Sequence, residues 1–434
     1  MSYEWEKIRL GDVSKVITDK IEISEINKKN YISTENMLPN FEGVVPASTI
    51  PNAKKVNAFR AKDILFSNIR TYFKKVWYAT MDGGCSADVL VFRPKNSAID
   101  NQFLSYVLKN EKFISYTVTT SKGTKMPRGD KKAIMNYQFY KPNLIDQQKI
   151  TYILSTLDDK IELNKKINQT LESIAQAIFK SWFVDFDPVH AKANAQSEEE
   201  YDTIAKELGI SRKILDLFPC EFEESELGLI PKGWEVMRVA DIGKIVCGKT
   251  PPTKNPEYYG DAIPFITIPD MHGKIFQCLT KKYLSHLGIM VQKNKTIPPY
   301  SICISCIATP GLVIITSSAA QTNQQINSVI PNNQNEVFFW YWGFRNLADD
   351  IRASGSGGSV FSNLSTSRFA GLRIIAPPQE LRFLYNEKFK CIFENILCHE
   401  KESNIAINLR DTLLPKLLSG EIDVSNLNLE PEHD

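Results

Sequence analysis

The long-helix pattern of this chain occurs twice, and that duplication constrains the fold more than any single residue. The segment IDQQKITYILSTLDDKIELNKKINQTLESIAQAIFKSWF (residues 145–183) is matched 235 residues later by ELRFLYNEKFKCIFENILCHEKESNIAINLRDTLLPKLL (residues 380–418). Gly123 maps to Gly358, Pro142 to Pro377, Ile174 to Leu409, Ile178 to Leu413 and Trp182 to Leu417 without a gap. WEKIRLGDV from Trp5 and WEVMRVADI from Trp234 match at a slightly smaller offset, so the intervening loops differ in length. A repeated unit of globular segment plus long helix predicts approximate two-fold symmetry, suited to an equally symmetric partner. Duplex DNA is the obvious candidate.

The first helix is expected to follow Pro142 with Asp146 as N-cap, and its apolar stripe steps through Ile150, Leu154, Leu157 and Ile161, then Leu171, Ala175, Ile178 and Trp182. The stripe turns polar at Asn164 and Asn168, and the second helix does the same at His399 and Ser403. Antiparallel helices of similar length bring their midpoints together, so these four residues are expected to be neighbours that fix register. A helix of this size is roughly 57 Å long at ~1.5 Å per residue. That bounds how far apart the lobes stand, against ~34 Å for one turn of B-DNA.

At 434 residues two globular domains are the natural expectation. The expected fold class is α+β, with two globular lobes separated by two long antiparallel helices in a pseudo-two-fold internal repeat. We divide the chain into a first lobe (1–145), a helical spacer (146–190), an acidic linker (191–228), a second lobe (229–378), a second spacer (379–425) and a tail (426–434). Runs such as DILFSNI, KVWYAT, ADVLVF, IPFITI, ICISCIA and LVIITS read as strands. NQFLSYVLK and NEVFFWYWGFRNLADDI read as helices, and Gly355, Gly357 and Gly358 as a loop. The chain lacks an apolar run of ~18 residues and a signal-peptide stretch, which suggests a cytosolic location.

The net charge of +2 conceals a partition. Lys plus Arg against Asp plus Glu is 23 to 14 in residues 1–145 and 14 to 8 in 229–378. It is 5 to 7 in 146–190, 4 to 10 in 191–228 and 6 to 11 in 379–434. Basic lobes on acidic connectors place positive charge where phosphates would be touched. Solvated surface lysines are the plain alternative.

Several motifs resemble chemistry and fail on inspection. GKIVCGKT (Gly243–Thr250) fits the phosphate-binding pattern G-x-x-x-x-G-K-[ST], but Pro251 and Pro252 oppose the helix that must begin there. NPEY (Asn255–Tyr258) lacks the second proline of an adenine-methyltransferase motif, and no glycine-rich turn for a methyl donor accompanies it. Cys303 and Cys306 form a lone C-x-x-C, and the eight cysteines read as reduced thiols. Asp270 has no suitable E-x-K pair to build a nuclease. We therefore expect no catalytic residue and no metal ligand.

Candidate DNA contacts in the first lobe lie in SNIRTYFKK (Asn68, Arg70, Tyr72, Lys74) and in SKGTKMPRGDKK (Lys122, Lys125, Arg128). The second lobe offers Lys249, Lys254, Asn323 and Gln324 of QTNQQ, Arg352, and Ser356 in SGSGGS. Arg, Asn and Gln read base edges, while Lys positions the backbone. Phe179, Trp182, Phe183, Leu413 and Leu414 are candidates for partner docking, with inter-helix core as the alternative reading.

The stretches YISTENMLPN, ILFSNIRTYFKKVW, ILSTLDDKIELNKKINQTLESIAQAIFKSWFVDFDPV, LFPCEFEESELGLIPKGWEV and TPPTKNPEYYGDAIPFITIPDM resemble the specificity (S) subunit of type I restriction-modification systems, over nearly the whole length. The resemblance implies two target-recognition domains, each reading half of a bipartite double-stranded DNA sequence. It implies two antiparallel spacer helices that dock two methylation subunits, with two restriction subunits in the full complex. S-adenosylmethionine, ATP and magnesium are then expected on partner subunits and none on this chain. PNLIDQQKI and PPQELRFL depart from the family's usual proline-rich approach to a glutamine-containing helix start. Two alternatives stay open: a fragment of a single-chain restriction or methylation enzyme, and a two-lobed scaffold that does not read DNA. Steep salt dependence of DNA binding separates the reader from the scaffold.

Overall fold

The computed structural model describes residues 5–195, 197–307, 309–354 and 364–428, with 349–354 as backbone only. The chain forms two compact units, Met1–Lys160 with Ala406–Asp434 and Ile161–Ile405, here units one and two. The long helices, Leu144–Phe183 and Gln379–Ser419, each contribute to both. Each unit therefore contains one lobe and part of each long helix.

Both lobes close on themselves in the same way. Glu6–Arg9 pairs antiparallel with Gln138–Lys141, placing Arg9 opposite Gln138. Glu235–Arg238 pairs with Arg373–Ala376, placing Arg238 opposite Arg373. The two offsets of the sequence repeat thus reappear in the strand register. Each opening strand runs into a single helical turn, Leu10–Val13 or Val239–Ile242. The carboxylate of Asp12 or Asp241 accepts the backbone N–H of Arg9 or Arg238 at 3.2 Å, satisfying an orphan donor at each turn's start.

The main sheet of unit one has the order Ser14–Ile17, Val89–Pro94, Ile64–Ser67, Val76–Tyr78, with antiparallel neighbours. Unit two repeats that order with Gly243–Cys247, Ile326–Pro331, Ile302–Ser305 and Val313–Thr316, and adds Phe276–Gln277 in parallel at the edge. Most of these are the apolar runs read as strands. A short parallel pair accompanies each sheet: Tyr31–Ile32 with Gly83–Cys85, and the end of Tyr259–Ile266 with Gln321–Thr322. The expected helices form at Asn101–Lys109 and Val337–Ser354.

The core of unit one gathers Phe66, Phe92, Phe103 and Phe113 of the lobe, Ile150 and Leu154 of the first long helix, and Leu417 and Leu418 of the second. The core of unit two is more aromatic. Phe179, Trp182 and Phe183 meet Phe339, Tyr385 and Phe218, and Phe338 stacks on Phe393 at 4.2 Å. Trp182 is only 2% exposed, so the five residues offered as a docking face need correction. Phe179, Trp182, Phe183 and Leu414 are buried, and Leu413 is partly buried against the unit-one core. The apolar stripe was read correctly, but it faces inward.

The first long helix begins at Leu144, earlier than a cap at Asp146 implies. Asn143 is the cap: its Oδ1 accepts Asp146 N–H at 2.9 Å, and its Nδ2 donates to Asp146 Oδ2 at 2.9 Å. In unit two the polar midpoint forms as expected. Asn164 Nδ2 donates to the His399 carbonyl and Ser403 Oγ, each at 3.3 Å, and Asn168 Oδ1 lies 2.9 Å from His399 Nδ1. The acidic linker belongs to unit two's core, with helices Glu198–Glu207 and Arg212–Asp216 flanking Gly209 and Phe218 packed on Trp182. Among the described residues, no helix is long and apolar enough to cross a membrane.

Candidate nucleic-acid interface

In unit one the fold brings the two basic segments into one surface. Ser67 ends a central strand, and the chain turns through Thr71–Phe73 to return at Val76. The segment 121–132, folded on itself by a bridge between Lys122 and Arg128, docks beside it through a bridge from Arg128 to Ile69, with Arg70 N–H bonding Pro127 O at 2.8 Å. Gly129 makes this approach possible, because a Cβ there would lie 2.6 Å from Asn68 Oδ1 and 2.9 Å from the Ile134 side chain. Asn68 itself is buried, and its backbone carbonyl accepts Gly129 N–H at 3.0 Å.

The cations on this surface fall into two groups. Arg128 pairs with Asp88 at 3.1 Å, Lys122 with Asp130 at 2.5 Å, and Lys74 with Glu111. These pairs are screened by solvent and hold side chains in place more than they stabilise the fold. The Arg70 guanidinium and the Lys125 ammonium make no hydrogen bond or ion pair among the described residues. They are available to phosphate. Tyr72 and Phe73 stand out from the same turn, 48% and 41% exposed.

Unit two builds its counterpart around the turn that follows Gln321–Thr322. Lys249 N–H bonds Thr322 O at 2.9 Å, Gln292 Nε2 holds Lys249 O at 2.8 Å, and Thr250 Oγ1 donates to Gln324 Oε1 at 2.6 Å. Lys249 and Gln324 are therefore neighbours on an exposed edge, with Lys254 exposed beyond them. Asn323 is buried and shapes the turn by accepting Gln325 N–H at 3.1 Å. The side chain of Arg352, all of Ser356, and Gly355, Gly357 and Gly358 lie outside the described residues.

The same turn exists in unit one, where sequence reading passed over it. Ser86 N–H bonds Ile32 O at 2.9 Å, as Asn323 N–H bonds Ile266 O at 3.0 Å. Asn68 N–H bonds Asp88 O at 2.8 Å, as Cys306 N–H bonds Gln325 O at 2.8 Å. Ser86–Asp88 and Asn323–Gln325 are thus equivalent positions. In unit one this turn rims a polar hollow of about 380 Å³, also lined by Ser33, Thr34, Glu35 and Thr49. The shared frame YISTENM and FITIPDM, which supplies the strand each turn bonds, was the available signal.

The motifs that mimic catalysis are spent on structure. Gly243–Cys247 of the phosphate-loop match is a strand, and residues 248–255 form no helix. Gly248 is pressed against Asn323, whose carbonyl oxygen would lie 2.1 Å from an added Cβ. Burial pushes the Cys303 thiol up to about 12 and the Cys306 thiol up to about 11. Both stay protonated, unlike the thiolates that bind zinc. Cys303 Sγ lies 3.3 Å from Ser328 Oγ, and Asn327 Nδ2 donates to Cys306 Sγ at 3.2 Å. All eight cysteines are free, and no group of metal-ligating side chains assembles among the described residues.

Comparison with known proteins places this architecture. The family model described as type I restriction modification DNA specificity domain matches residues 3–173 and again 231–381, one match for each half of the repeat. The specificity subunit of the type I restriction enzyme HindI from Haemophilus influenzae is 36% identical, over 96% of this chain and all of that protein. The MjaIX specificity subunit from Methanocaldococcus jannaschii is 28% identical over 77% of this chain and 72% of its own length. The crystal structure of a type I restriction-modification S subunit from M. genitalium shares the fold with a TM-score of 0.57, at 14% identity and with 96% of each chain covered. With the specificity domain matched twice and a full-length relative of that kind, the chain belongs to the family of type I restriction-modification specificity subunits, the non-catalytic DNA-recognition components of those enzymes.

Proposed function

We propose that this chain reads a split, asymmetric duplex-DNA target, one part with each lobe, while partner subunits perform the chemistry. The observation that carries the reading is the pairing of equivalent scaffolds with unlike surfaces. The same turn is rimmed by Arg128 and Asp88 in unit one and by Lys249 and Gln324 in unit two. Equivalent frames with different donor and acceptor sets read different base edges. In this reading residues 1–145 and 229–378 are the recognition domains, and 146–190 and 379–425 are spacers.

Two methylation subunits, and in the full complex two restriction subunits, would bring S-adenosylmethionine, ATP and magnesium. Their docking surface on the helices is drawn from outward apolar residues in place of the five buried ones. In unit two these are Leu163, Ile174 and Ile405, and in unit one Ile145, Tyr152 and Leu409. Exposed side chains of this size are expensive to leave in water without a partner. The complex acts in the cytoplasm, where its DNA is.

Methylome sequencing of a methylation-free host tests the proposal, expressing this chain with its neighbouring methyltransferase subunit and each alone. The expected result is a split adenine-methylated motif that appears only with both. Methylation of the same motif by the partner alone would remove DNA reading from this chain and favour the scaffold.

A further inference from the structure

Tyr72 and Phe73 project from a turn whose backbone is held in an unfavourable shape. Arg70 and Lys74, on either side of them, have φ of 48° and 56°, in the left-handed region. The segment that grips this turn is alike: Asn40 N–H bonds Phe73 O at 3.0 Å and Phe41 N–H bonds Lys74 O at 2.9 Å, with φ of 55° and 64°. Four of the seven non-glycine residues with positive φ among those described therefore converge on one turn. Such clustering marks a site where geometry is kept for use.

What the turn presents is an aromatic blade. The Tyr72 and Phe73 rings are 4.8 Å apart and tilted by 48°, and Lys75 Nζ lies 5.8 Å from the Phe73 ring. Five backbone bonds, including Arg70 N–H to Pro127 O, Phe73 N–H to Arg70 O and Lys74 N–H to Thr71 O, fix it before any ligand arrives. The free Arg70 guanidinium precedes it, and Lys125 lies in the segment 121–132 that docks on Ile69 and Arg70. An exposed apolar ring beside phosphate-seeking cations, on a rigid turn, matches the devices that enter between base pairs and kink a duplex. In unit two the turn between the equivalent strands, CIATPGL (306–312), contains no aromatic residue.

Resting on the DNA-reading proposal, we infer that Tyr72 is a wedge that enters a base step within the half-site read by the first lobe, with Phe73 as its support. The first half-site is then read partly through deformability, which favours a pyrimidine–purine step, and the second is not.

The test uses the full chain and duplexes it selects from a random-sequence library, with 2-aminopurine scanned through both halves. Expected is a several-fold rise in fluorescence at one step of one half only. Tyr72→Ala abolishes that rise and weakens binding about five- to a hundredfold, the range for losing a base–aromatic stack. Tyr72→Phe keeps both, which also controls for folding, and Lys125→Ala weakens binding without altering the rise. Salt-dependent, sequence-selective binding with no rise, or a rise that survives Tyr72→Ala, would overturn the wedge and leave DNA reading intact. If the full chain selects no sequence, DNA reading fails and the wedge with it. Loss of co-purification with the methyltransferase subunit in Tyr72→Ala would then assign the rings to a protein contact.

Discussion

Gln147 in unit one and Arg382 in unit two occupy the same position of the two long helices, and each donates to the carbonyl of the matching proline, Pro142 at 2.9 Å or Pro377 at 2.6 Å. Each also ties down the start of a lobe helix. Gln147 Oε1 accepts Asp100 N–H at 2.8 Å, whereas Arg382 forms a buried ion pair with Glu336 at 2.9 Å. One helical turn on, Thr151 bonds Asp100 and Asn386 bonds Phe338 N–H. The joint between lobe and helix keeps its geometry while its chemistry changes from neutral to charged. Further along, the difference reverses. Unit one half-buries Asp158 against Arg410 at 2.8 Å, Lys109 at 3.6 Å and the Tyr106 hydroxyl at 2.9 Å. Unit two has Phe393 and Ala175 at the matching positions, in an aromatic stack and beneath the Tyr385 hydroxyl. Duplication fixed where contacts fall, and each half was then free to satisfy them differently, because a joint needs complementary partners more than particular ones.

The largest test of this contrast is Asp158→Ala. It strands Lys109 and Arg410 in a buried site and is expected to cost about 3–5 kcal/mol, localised to unit one by native-state hydrogen exchange. Burial alone would raise the Asp158 carboxyl, but Lys109 and Arg410 outweigh it and hold it below its ordinary value. Its contribution is therefore present above about pH 4 and is lost as pH falls through the depressed folded value. A small loss spread over both units would show that the network is not specific to unit one.

Next is Glu400, whose carboxylate accepts the N–H groups of Ile275 and Phe276 at 3.1 and 3.4 Å. Burial pushes it up to about 7, despite those bonds and Lys274. A raised carboxyl favours the folded state most at low pH, so stability of unit two should fall by about 2 kcal/mol between pH 4.5 and 7. Glu400→Gln should flatten that slope in urea titrations, while Lys165→Gln, the exposed equivalent on the first helix, should leave it.

Smaller again, Arg128→Ala should lower the magnitude of the log–log salt slope of DNA binding by about 1, and Lys249→Ala should do the same from the other lobe. An unchanged slope in both would remove them from the phosphate path. The smallest expected effect is Asn164→Leu. It exchanges three long side-chain bonds for apolar contact and should change the unfolding free energy read from urea titrations by less than about 1 kcal/mol. A large loss would mean that the polar midpoint stabilises the helix pair instead of fixing its register.

Much of this architecture was legible in the residues. Repeat offsets located both lobes and helices, strand runs such as ADVLVF and LVIITS fell in the main sheets, and the polar interruption of both stripes identified Asn164, Asn168, His399 and Ser403 as neighbours. Charge partition and loop composition pointed to SNIRTYFKK and SKGTKMPRGDKK. Solvent exposure was not legible, because a Trp at helical spacing reads alike whether it faces a core or a partner. That is why Trp182 and Phe179 were offered as docking residues and proved to be buried. Asn68 and Asn323 read as base contacts for the same reason, although both are buried.

The sequence by itself determined the duplication and the element types, since periodicity and offset are properties of the linear chain. Only the tertiary structure decided which halves of the long helices join each lobe, that Ser86–Asp88 and Asn323–Gln325 are the same turn, and that four left-handed residues meet beneath Tyr72. Those are contacts between residues far apart in sequence. They exist because burying both stripes and pairing every strand leaves the chain few ways to close, and no local pattern encodes which side chains that closure leaves in water.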